Sequence, residues 1–347
     1  MRIGDFKETY TSDEAVFRTP TVRFWIGVLL GALLIFPFIA GDYLLYMANL
    51  VGVAIVAAVG LNILTGFAGQ ISLGHAAFVG IGGYTAAILA TRLDLPFLLC
   101  LPLSGISAAF FGMIVGGPSM RMKGLYLCIA TLAAQVIFEF VFVHWESMTG
   151  GIRGINLPSP TVFGIALDNE FKFYFVTLSV VIITVTAARN IFRTRVGRAF
   201  IAIRDRDISA ELMGINLFKY KMYAFGVSSF IAGIAGCLWV NFLKTVTPEH
   251  FPLIESIRYL AMIIVGGLGS VLGAIYGAVF MTLVPELLKN LLGLLAHQFP
   301  TAMSYLFPMQ EVVFGLLIVV FLVLEPHGLA EIWRRVKDYF RLWPFQH

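Results

Sequence analysis

Long apolar runs recur along almost the whole chain and limit the folds that it can adopt. They extend from Phe24 to Leu324, and no long polar block between them could form a separate soluble domain. About 20 consecutive apolar residues span a bilayer as an α-helix. Of the 347 residues, 59% are hydrophobic and 13% are charged, whereas soluble domains carry about 25% charged residues. The sequence therefore predicts an all-α, polytopic membrane protein with a single membrane domain.

The apolar runs predict about ten membrane-spanning helices, with a range of roughly eight to ten because two runs are short. We expect residues 1–23 to form a polar arm, residues 24–325 the membrane domain and residues 326–347 a tail. The first 23 residues lack the pattern of a cleaved secretory signal. The predicted spans are 24–40, 44–64, 76–93, 97–117, 124–143, 171–188, 222–243, 254–268, 271–289 and 309–325.

The distribution of basic residues predicts the topology. Segment 189–221 contains eight basic residues and the tail after Glu325 contains four, whereas segment 144–170 contains only Arg153. Basic residues concentrate in cytoplasmic segments of membrane proteins. With both termini in the cytoplasm, ten spans put segment 189–221 inside and segment 144–170 outside.

The segment 66–75 interrupts this pattern because it combines glycines with hydrogen-bonding side chains. Gly66, Gly69 and Gly74 fall within nine residues, together with Gln70 and Ser72. Glycine weakens a helix by about 1 kcal/mol relative to alanine, so the pattern predicts a broken helix. Non-helical backbone survives in a membrane only where it is buried in protein or lines a cavity. We therefore expect this segment to face a pathway.

A second glycine-rich break resembles the first. Residues 60–83 and 262–280 each run from an apolar helix into glycines and then into a Gly/Ala-rich helix. Paired interrupted helices of this kind indicate a midplane site in transporters built from inverted repeats. An inverted repeat is one explanation, and likeness through composition alone is the other.

Segment 207–215 predicts a short amphipathic helix. Asp207 is the expected N-cap, Gly214 is placed to end the helix in a left-handed conformation, and Ile208, Leu212 and Ile215 form an apolar stripe. So short a helix is marginal in water unless it docks. It docks either on the chain's own membrane domain or on a soluble partner.

Segment 144–170 predicts an ordered, turn-rich cap on the other side. It contains Trp145 and Glu146, the run Thr149-Gly150-Gly151, and two prolines. An exposed aromatic side chain beside charges suits a soluble partner outside, although tryptophan at a membrane boundary also serves as an interfacial anchor.

Several classes of chemistry lack their sequence motifs. The chain has no Gly-x-x-x-x-Gly-Lys-Ser/Thr phosphate loop, no metalloprotease motif and no cluster of His and Cys with metal-ligand spacing. This disfavours a membrane enzyme, a metal site and ATP hydrolysis by the chain itself. Few ionisable residues lie inside predicted spans, which weakens an ion-coupled carrier, although Glu139 keeps that class open.

Three motifs, in order along the chain, resemble the LivM-type permeases of ABC importers for branched-chain amino acids. They are GFAGQISLGHAAF at 66–78, TGG-x-x-G at 149–154, and GRAF-x-AIRD with AELMGIN between 197 and 216. The resemblance covers roughly residues 44–325. Importers of urea and short amides use similar subunits, so the substrate stays open.

The resemblance implies an assembly in a bacterial inner membrane. The chain would pair with a LivH-type permease, two cytoplasmic ATP-binding subunits and a periplasmic binding protein. It would bind no cofactor itself, because ATP is used by the partner subunits. Transport would proceed by alternating access. A self-sufficient carrier or channel is the competing function.

The resemblance also implies roles for particular residues. Gln70 and Ser72 either meet the substrate or hold helices together, and His75 either lines the passage or bonds a free carbonyl. The predicted pathway residues are Asn62, Phe67, Gly69, Gln70, Ser72, Gly74, His75 and Phe78. The predicted contacts with the ATP-binding subunits are Arg198, Arg204, Asp207, Ala210, Glu211 and Gly214, and those with the external partner are Trp145, Glu146, Gly150, Gly151 and Arg153.

Overall fold

The computed structural model describes residues 20–119, 124–162, 164–296 and 329–342, with scattered positions between 312 and 328. Within these ranges the chain is mostly helical, which agrees with the predicted all-α class. In chain order the helices are α1 (Pro20–Ile39), α2 (Asp42–Asn62), α3 (His75–Arg92), α4 (Phe97–Ser119), α5 (Leu125–His144), α6 (Glu146–Thr149), α7 (Glu170–Arg193), α8 (Arg195–Asp205), α9 (Asp207–Leu212), α10 (Leu217–Leu243), α11 (Leu253–Gly266), α12 (Val271–Ala296) and α13 (Leu329–Leu342).

The predicted number of spans is only partly supported. Helices occupy nine of the ten predicted spans, and within the tenth, 309–325, the described positions between 312 and 323 are helical. Among the described residues, six helices are long and apolar enough to cross a membrane: Asp42–Phe67, Phe97–Pro118, Leu125–His144, Glu170–Arg193, Leu217–Leu243 and Val271–Asn290. The structure therefore supports a multi-pass protein without confirming a count of ten.

Helix α10 forms the centre of the membrane domain and packs against α2, α3 and α4. Glycines bring these helices close together. A Cβ built on Gly82 of α3 would collide with the backbone of Gly233 on α10, and one built on Gly236 would meet the carbonyl of Val79. Lipid supplies no hydrophobic force between helices, so such close packing is what holds them together.

Helix α7 separates two ends of the molecule. Its 24 residues span about 36 Å, with segment 144–170 at one end and α8 and α9 at the other. This arrangement matches the predicted separation of segments 144–170 and 189–221. At the first end, strand β1 (Ile155–Asn156) pairs antiparallel with β4 (Thr245–Val246), and β2 (Thr161–Val162) pairs with β3 (Ile165–Ala166). Short 3₁₀ helices cover Gly151–Arg153 and Pro248–His250.

The predicted break after α2 is confirmed. Helix α2 continues as a π-helix over Ile63–Phe67, residues 68–74 are not helical, and α3 begins at His75. The Nε2 atom of His75 lies 3.0 Å from the carbonyl oxygen of Ala57, ten residues before Phe67. Helix α3 therefore begins roughly 10–15 Å back along α2. Residues 68–74 form a strap that turns back into the membrane domain.

Candidate functional site

The strap alternates between a buried and an exposed side. Gln70 and Ser72 point inward and are buried, whereas Gly69 and Ile71 are exposed. Such alternation is typical of extended backbone. Gly69 has a φ of +67°, a conformation that favours glycine. The strap thus presents irregular backbone on one side and two polar side chains on the other.

The two glycine-rich breaks lie against each other. The side chain of Asn62 donates to the carbonyl of Ser270 at 2.9 Å and accepts from the amide of Gly269 at 3.0 Å. A Cβ on Gly66 would lie 2.5 Å from the same Gly269 nitrogen, so only glycine fits at position 66. Asn62 therefore joins the end of α2 to the turn between α11 and α12. Its predicted contact with substrate stays a prediction, as does the inverted repeat.

Arg204, at the end of α8, reaches both breaks. Its Nη1 atom donates to the carbonyl of Gly66 at 3.0 Å. A Cβ on Gly69 would lie 2.9 Å from Cγ of Arg204, and one on Gly269 would lie 2.8 Å from Nη1. The absence of side chains at these two glycines makes room for the arginine. Arg204 also pairs with Asp205 at 3.0 Å, and it ties α8 directly to the strap.

Gln70 is buried without hydrogen-bond partners for its side chain. Only 3% of its surface is exposed, and neither amide atom has a partner among the described residues. Ser72 differs, because its hydroxyl accepts a long bond of 3.4 Å from the amide of Gly74. Buried polar groups in native proteins are nearly always hydrogen-bonded. The unpaired amide of Gln70 is therefore the feature of the strap that fits a bound polar molecule best.

The N-terminus of α3 is capped by a buried network from two other helices. The Thr131 hydroxyl accepts from the amide of Leu73 at 3.0 Å, and Ser256 accepts from Ala76 at 2.8 Å. The side-chain oxygen of Gln135 accepts from Ala77 at 2.7 Å and from Ser256 at 3.1 Å. These residues were not among the predicted site residues. The sequence feature that could have indicated the network is the pair of polar side chains Thr131 and Gln135, four residues apart on the apolar helix α5.

Gln135→Leu should lower the thermal unfolding midpoint of the detergent-solubilised protein by roughly 3–6 °C. The substitution removes three bonds, including one from Gln135 to the carbonyl of Phe251 at 2.8 Å, and interhelical bonds in membrane proteins contribute about 0.6 kcal/mol each. Thr91→Val is the control, because Thr91 bonds only a carbonyl of its own helix at 2.7 Å. Equal midpoints for the two variants would contradict a stabilising network.

The remaining predicted pathway residues pack closely with their neighbours. His75 is fully buried and bonds the carbonyl of Ala57, which lies within α2 and is not a carbonyl left free by the break. Phe67 stacks on Phe192 at the end of α7, with 3.3 Å between ring centroids. Phe78 lies in the hydrophobic core, and Gly74 sits against the backbone of Thr131. Contact of these residues with a substrate stays a prediction.

Helix α8 docks on the membrane domain. Phe200 and Ile203 are buried beneath it, and Gly197 allows its first turn to approach the backbone of Phe192. Arg198 donates to the carbonyl of Arg193 at 3.1 Å. The apolar positions of the GRAF-x-AIRD motif thus anchor the helix from which Arg204 extends.

The predicted short helix is present as α9, with one correction. The N-cap is Arg206 and not Asp207, because α8 extends to Asp205 and leaves Arg206 as the only residue between the helices. Asp207 is the first residue of the helix, and its carboxylate accepts from the amide of Ile208 at 2.9 Å. A carboxylate in the first turn still favours the helix, since it meets the positive end of the helix dipole.

The predicted end of α9 at Gly214 is confirmed. Gly214 has a φ of +84°, its amide donates to Glu211, and the amide of Ile215 donates to Ala210 at 3.0 Å. These two bonds form a Schellman motif. Asn216 then caps α10 by accepting from the amide of Lys219 at 3.0 Å. The AELMGIN motif thus contains the end of α9 and, directly after it, the cap of α10.

The described residues of the membrane domain leave the apolar side of α9 uncovered at Ile208 and Leu212. Leu212 is 85% exposed and Ile208 is 66% exposed, whereas Ala210 is buried. Helix α9 thus rests on its own chain through Ala210, and docking of Ile208 and Leu212 on a soluble partner stays a prediction. Beside this helix lies a cleft of about 490 Å³, lined by Glu211, Gly214, Ile215, Asn216, Leu217 and Phe218.

The cap at the opposite end is built on glycines with positive φ. Gly150, Gly151 and Gly154 have φ values of +74°, +58° and +68°. The buried hydroxyl of Thr149 donates to the carbonyl of Phe142 at 2.8 Å. The TGG-x-x-G motif therefore holds the loop in one conformation. Its exposed surface carries Trp145, Glu146, Ile152 and Arg153.

Comparisons with known proteins find relatives along most of the chain. A model of the branched-chain amino acid transport system permease component matches residues 43–322. The high-affinity branched-chain amino acid transport system permease protein LivM of Escherichia coli (strain K12) is 30% identical over 292 residues, which cover 77% of this chain and 69% of the relative. The probable LivM permease of Methanocaldococcus jannaschii is 24% identical over 272 residues, or 73% and 77% of the two chains. The LivH permease of Escherichia coli (strain K12) is 26% identical over 300 residues, or 78% and 89%. No solved structure matches the chain significantly.

Proposed function

Because the chain belongs to the family of branched-chain amino acid transport permeases and is of LivM type, we propose that it is the permease subunit of an ATP-driven importer. It moves branched-chain or related hydrophobic amino acids across a bacterial inner membrane, with both termini in the cytoplasm. It works with a LivH-type permease, two cytoplasmic ATP-binding subunits and a periplasmic binding protein. The similarity of the chain to both LivM and LivH permeases supports the pairing of two related subunits.

The observation that carries the proposal is the connection between α9 and the strap. Leu212 and Met213 form an exposed apolar surface. Exposed apolar patches commonly mark protein interfaces. Helix α9 follows α8 after a single residue, and α8 carries Arg204 to the carbonyl of Gly66. A displacement of α9 by the ATP-binding subunits would therefore move α8 and, through Arg204, the strap. This is the arrangement that alternating access requires.

In this proposal the strap lines the passage through which the substrate moves. Irregular backbone does not face lipid, so the exposed side at Gly69 and Ile71 faces water or the partner permease. Gln70 lies on the opposite, buried side of the strap, and its amide, unpaired among the described residues, provides two donors and an acceptor. Once movement of the strap exposes it, this amide suits the ammonium and carboxylate of a passing amino acid. Selectivity then rests mainly with the binding protein, which docks on the cap around Trp145 and Arg153.

Leu212→Asp tests the docking of α9. We expect the ATP-binding subunits to copurify at least about 10-fold less, because a carboxylate is unfavourable in an apolar interface. Ile152→Asp is the matched control: Ile152 is also exposed but lies in the cap at the opposite end.

Two results would contradict the proposal. One is normal copurification of the ATP-binding subunits with the Leu212→Asp variant. The other is amino acid uptake by this chain alone in proteoliposomes, which would favour a self-sufficient carrier.

A further inference from the structure

Helix α13, which follows the membrane domain, is strongly amphipathic and takes part in none of the contacts described above. Apolar residues recur at three- and four-residue spacing, which places them on one side of a helix. They are Leu329, Ile332, Trp333, Val336 and Tyr339. The helix sequence also contains four basic residues, Arg334, Arg335, Lys337 and Arg341, and two acidic ones, Glu331 and Asp338.

The start of α13 is held against the membrane domain. A Cβ on Gly328, the residue before the helix, would lie 2.5 Å from the nitrogen of Gly267 in the second break. Arg335 forms an ion pair with Glu325 at 2.8 Å, and Leu329 packs against the core. The neighbouring Gly269 adjoins Arg204, so α13 begins at the α8–α9 end of the molecule.

No described residue covers the apolar side of α13 beyond its first turn. Leu329 and Ile332 are partly buried, whereas Trp333 is 55%, Val336 41% and Tyr339 56% exposed. Tryptophan and tyrosine are enriched at the boundary between membrane and water, where their rings have both apolar and polar surroundings. The exposed residues are therefore of the kind that a bilayer surface accommodates.

We propose that α13 lies flat in the headgroup layer on the α8–α9 side and binds anionic lipid there. Trp333, Val336 and Tyr339 enter the bilayer to a depth of about 5–10 Å. The four basic and two acidic residues give residues 329–342 a net charge of +2, which complements anionic headgroups. Because Gly328 is held beside Gly267, in the turn between α11 and α12, the helix starts at the α8–α9 end of the membrane domain.

This inference rests on the chain being a membrane protein and not on its substrate. Each basic residue near an anionic surface contributes about 1 kcal/mol, so binding depends on lipid charge as well as on apolar contact. A soluble subunit or a second copy of the chain would instead cover the same side with protein. The following experiment distinguishes these occupants.

The test uses the full chain in nanodiscs that contain phosphatidylglycerol or only phosphatidylcholine. A fluorophore is attached to Val336→Cys or to Arg334→Cys, after alanine has replaced Cys100, Cys128 and Cys237. Position 334 is the control, because it points away from the apolar side of the helix. In phosphatidylglycerol we expect spin-labelled lipid to quench position 336 at least about threefold more than position 334. Lys337→Glu should reduce the quenching at position 336.

Three results would overturn the proposal. Equal lipid quenching at both positions would exclude an inserted apolar side. Protection of position 336 from both lipid and aqueous quenchers would show that protein covers it. Equal quenching in the two kinds of bilayer would exclude a role for anionic lipid. Trypsin cleavage after Lys337 in the unsubstituted protein provides a second measurement, and we expect it to slow at least about threefold in phosphatidylglycerol relative to cleavage after Arg206.

Discussion

Arg204→Ala should reduce ATP-driven uptake at least about 10-fold, because a hydrogen bond from a charged group is worth about 1.5–3 kcal/mol. The sequence predicted a contact of Arg204 with the ATP-binding subunits, but its guanidinium bonds the strap, so we expect these subunits to remain attached to the variant. The guanidinium donates to the carbonyl of Gly66 and adjoins Gly269. Its removal would let α8 move without the strap. We therefore expect ATP hydrolysis to continue while transport stops.

The measurement compares uptake and ATP hydrolysis in proteoliposomes that contain the whole assembly. Arg206→Ala is the matched control, because Arg206 is also an exposed arginine but lies in the turn between α8 and α9. Arg204→Lys keeps the charge without the planar guanidinium of an arginine, so we expect its rate of uptake to lie between those of the unsubstituted protein and of Arg204→Ala. Parallel losses of uptake and of hydrolysis in Arg204→Ala would argue against a connecting role for this side chain.

Gln70→Met should abolish most uptake while leaving the thermal stability of the protein unchanged or slightly higher. The amide of Gln70 has no partner among the described residues, so its replacement by a side chain of similar shape breaks no bond. Removing a buried polar group without a partner is neutral or stabilising. A packing role for Gln70 predicts the opposite result, a loss of stability with little change in transport.

Asn62→Leu provides the comparison for Gln70→Met. Both amide atoms of Asn62 are bonded across the two breaks, and we expect this variant to lose about 1–3 kcal/mol of stability, because backbone groups of Gly269 and Ser270 lose their partners. Thermal unfolding in detergent and uptake in proteoliposomes are measured on the same preparations. Normal uptake by the Gln70→Met variant would indicate that the strap holds the helices together and does not contact the substrate.

Local sequence patterns predicted much of the framework. The apolar runs predicted helices at nine positions where the structure has them, because hydrophobic length decides whether a segment can span a membrane. The glycines at 66–74 predicted the break, and Gly214 predicted the end of α9, because both depend on the conformational freedom of one residue. The position of the N-cap at Arg206 was missed by one residue, since the length of α8 decides it.

The contacts that make the site depend on the tertiary structure. Arg204 lies 138 positions from Gly66, and Asn62 lies 207 positions from Gly269, so no local pattern joins them. The same holds for Gln135 and Ser256, which cap α3 from two different helices. The sequence also left open what α9 docks on, and only the structure shows that Ala210 is buried while Leu212 is exposed.

The sequence by itself determined that this chain is a helical membrane protein with a broken helix and a short amphipathic helix at one end. Those properties follow from hydrophobicity and backbone freedom, which act over a few residues. Only the tertiary structure decided that the two breaks meet, that Arg204 joins them to α8, and that the side chain of Gln70 is buried with no partner among the described residues. These properties depend on which side chains the packing of distant helices brings together.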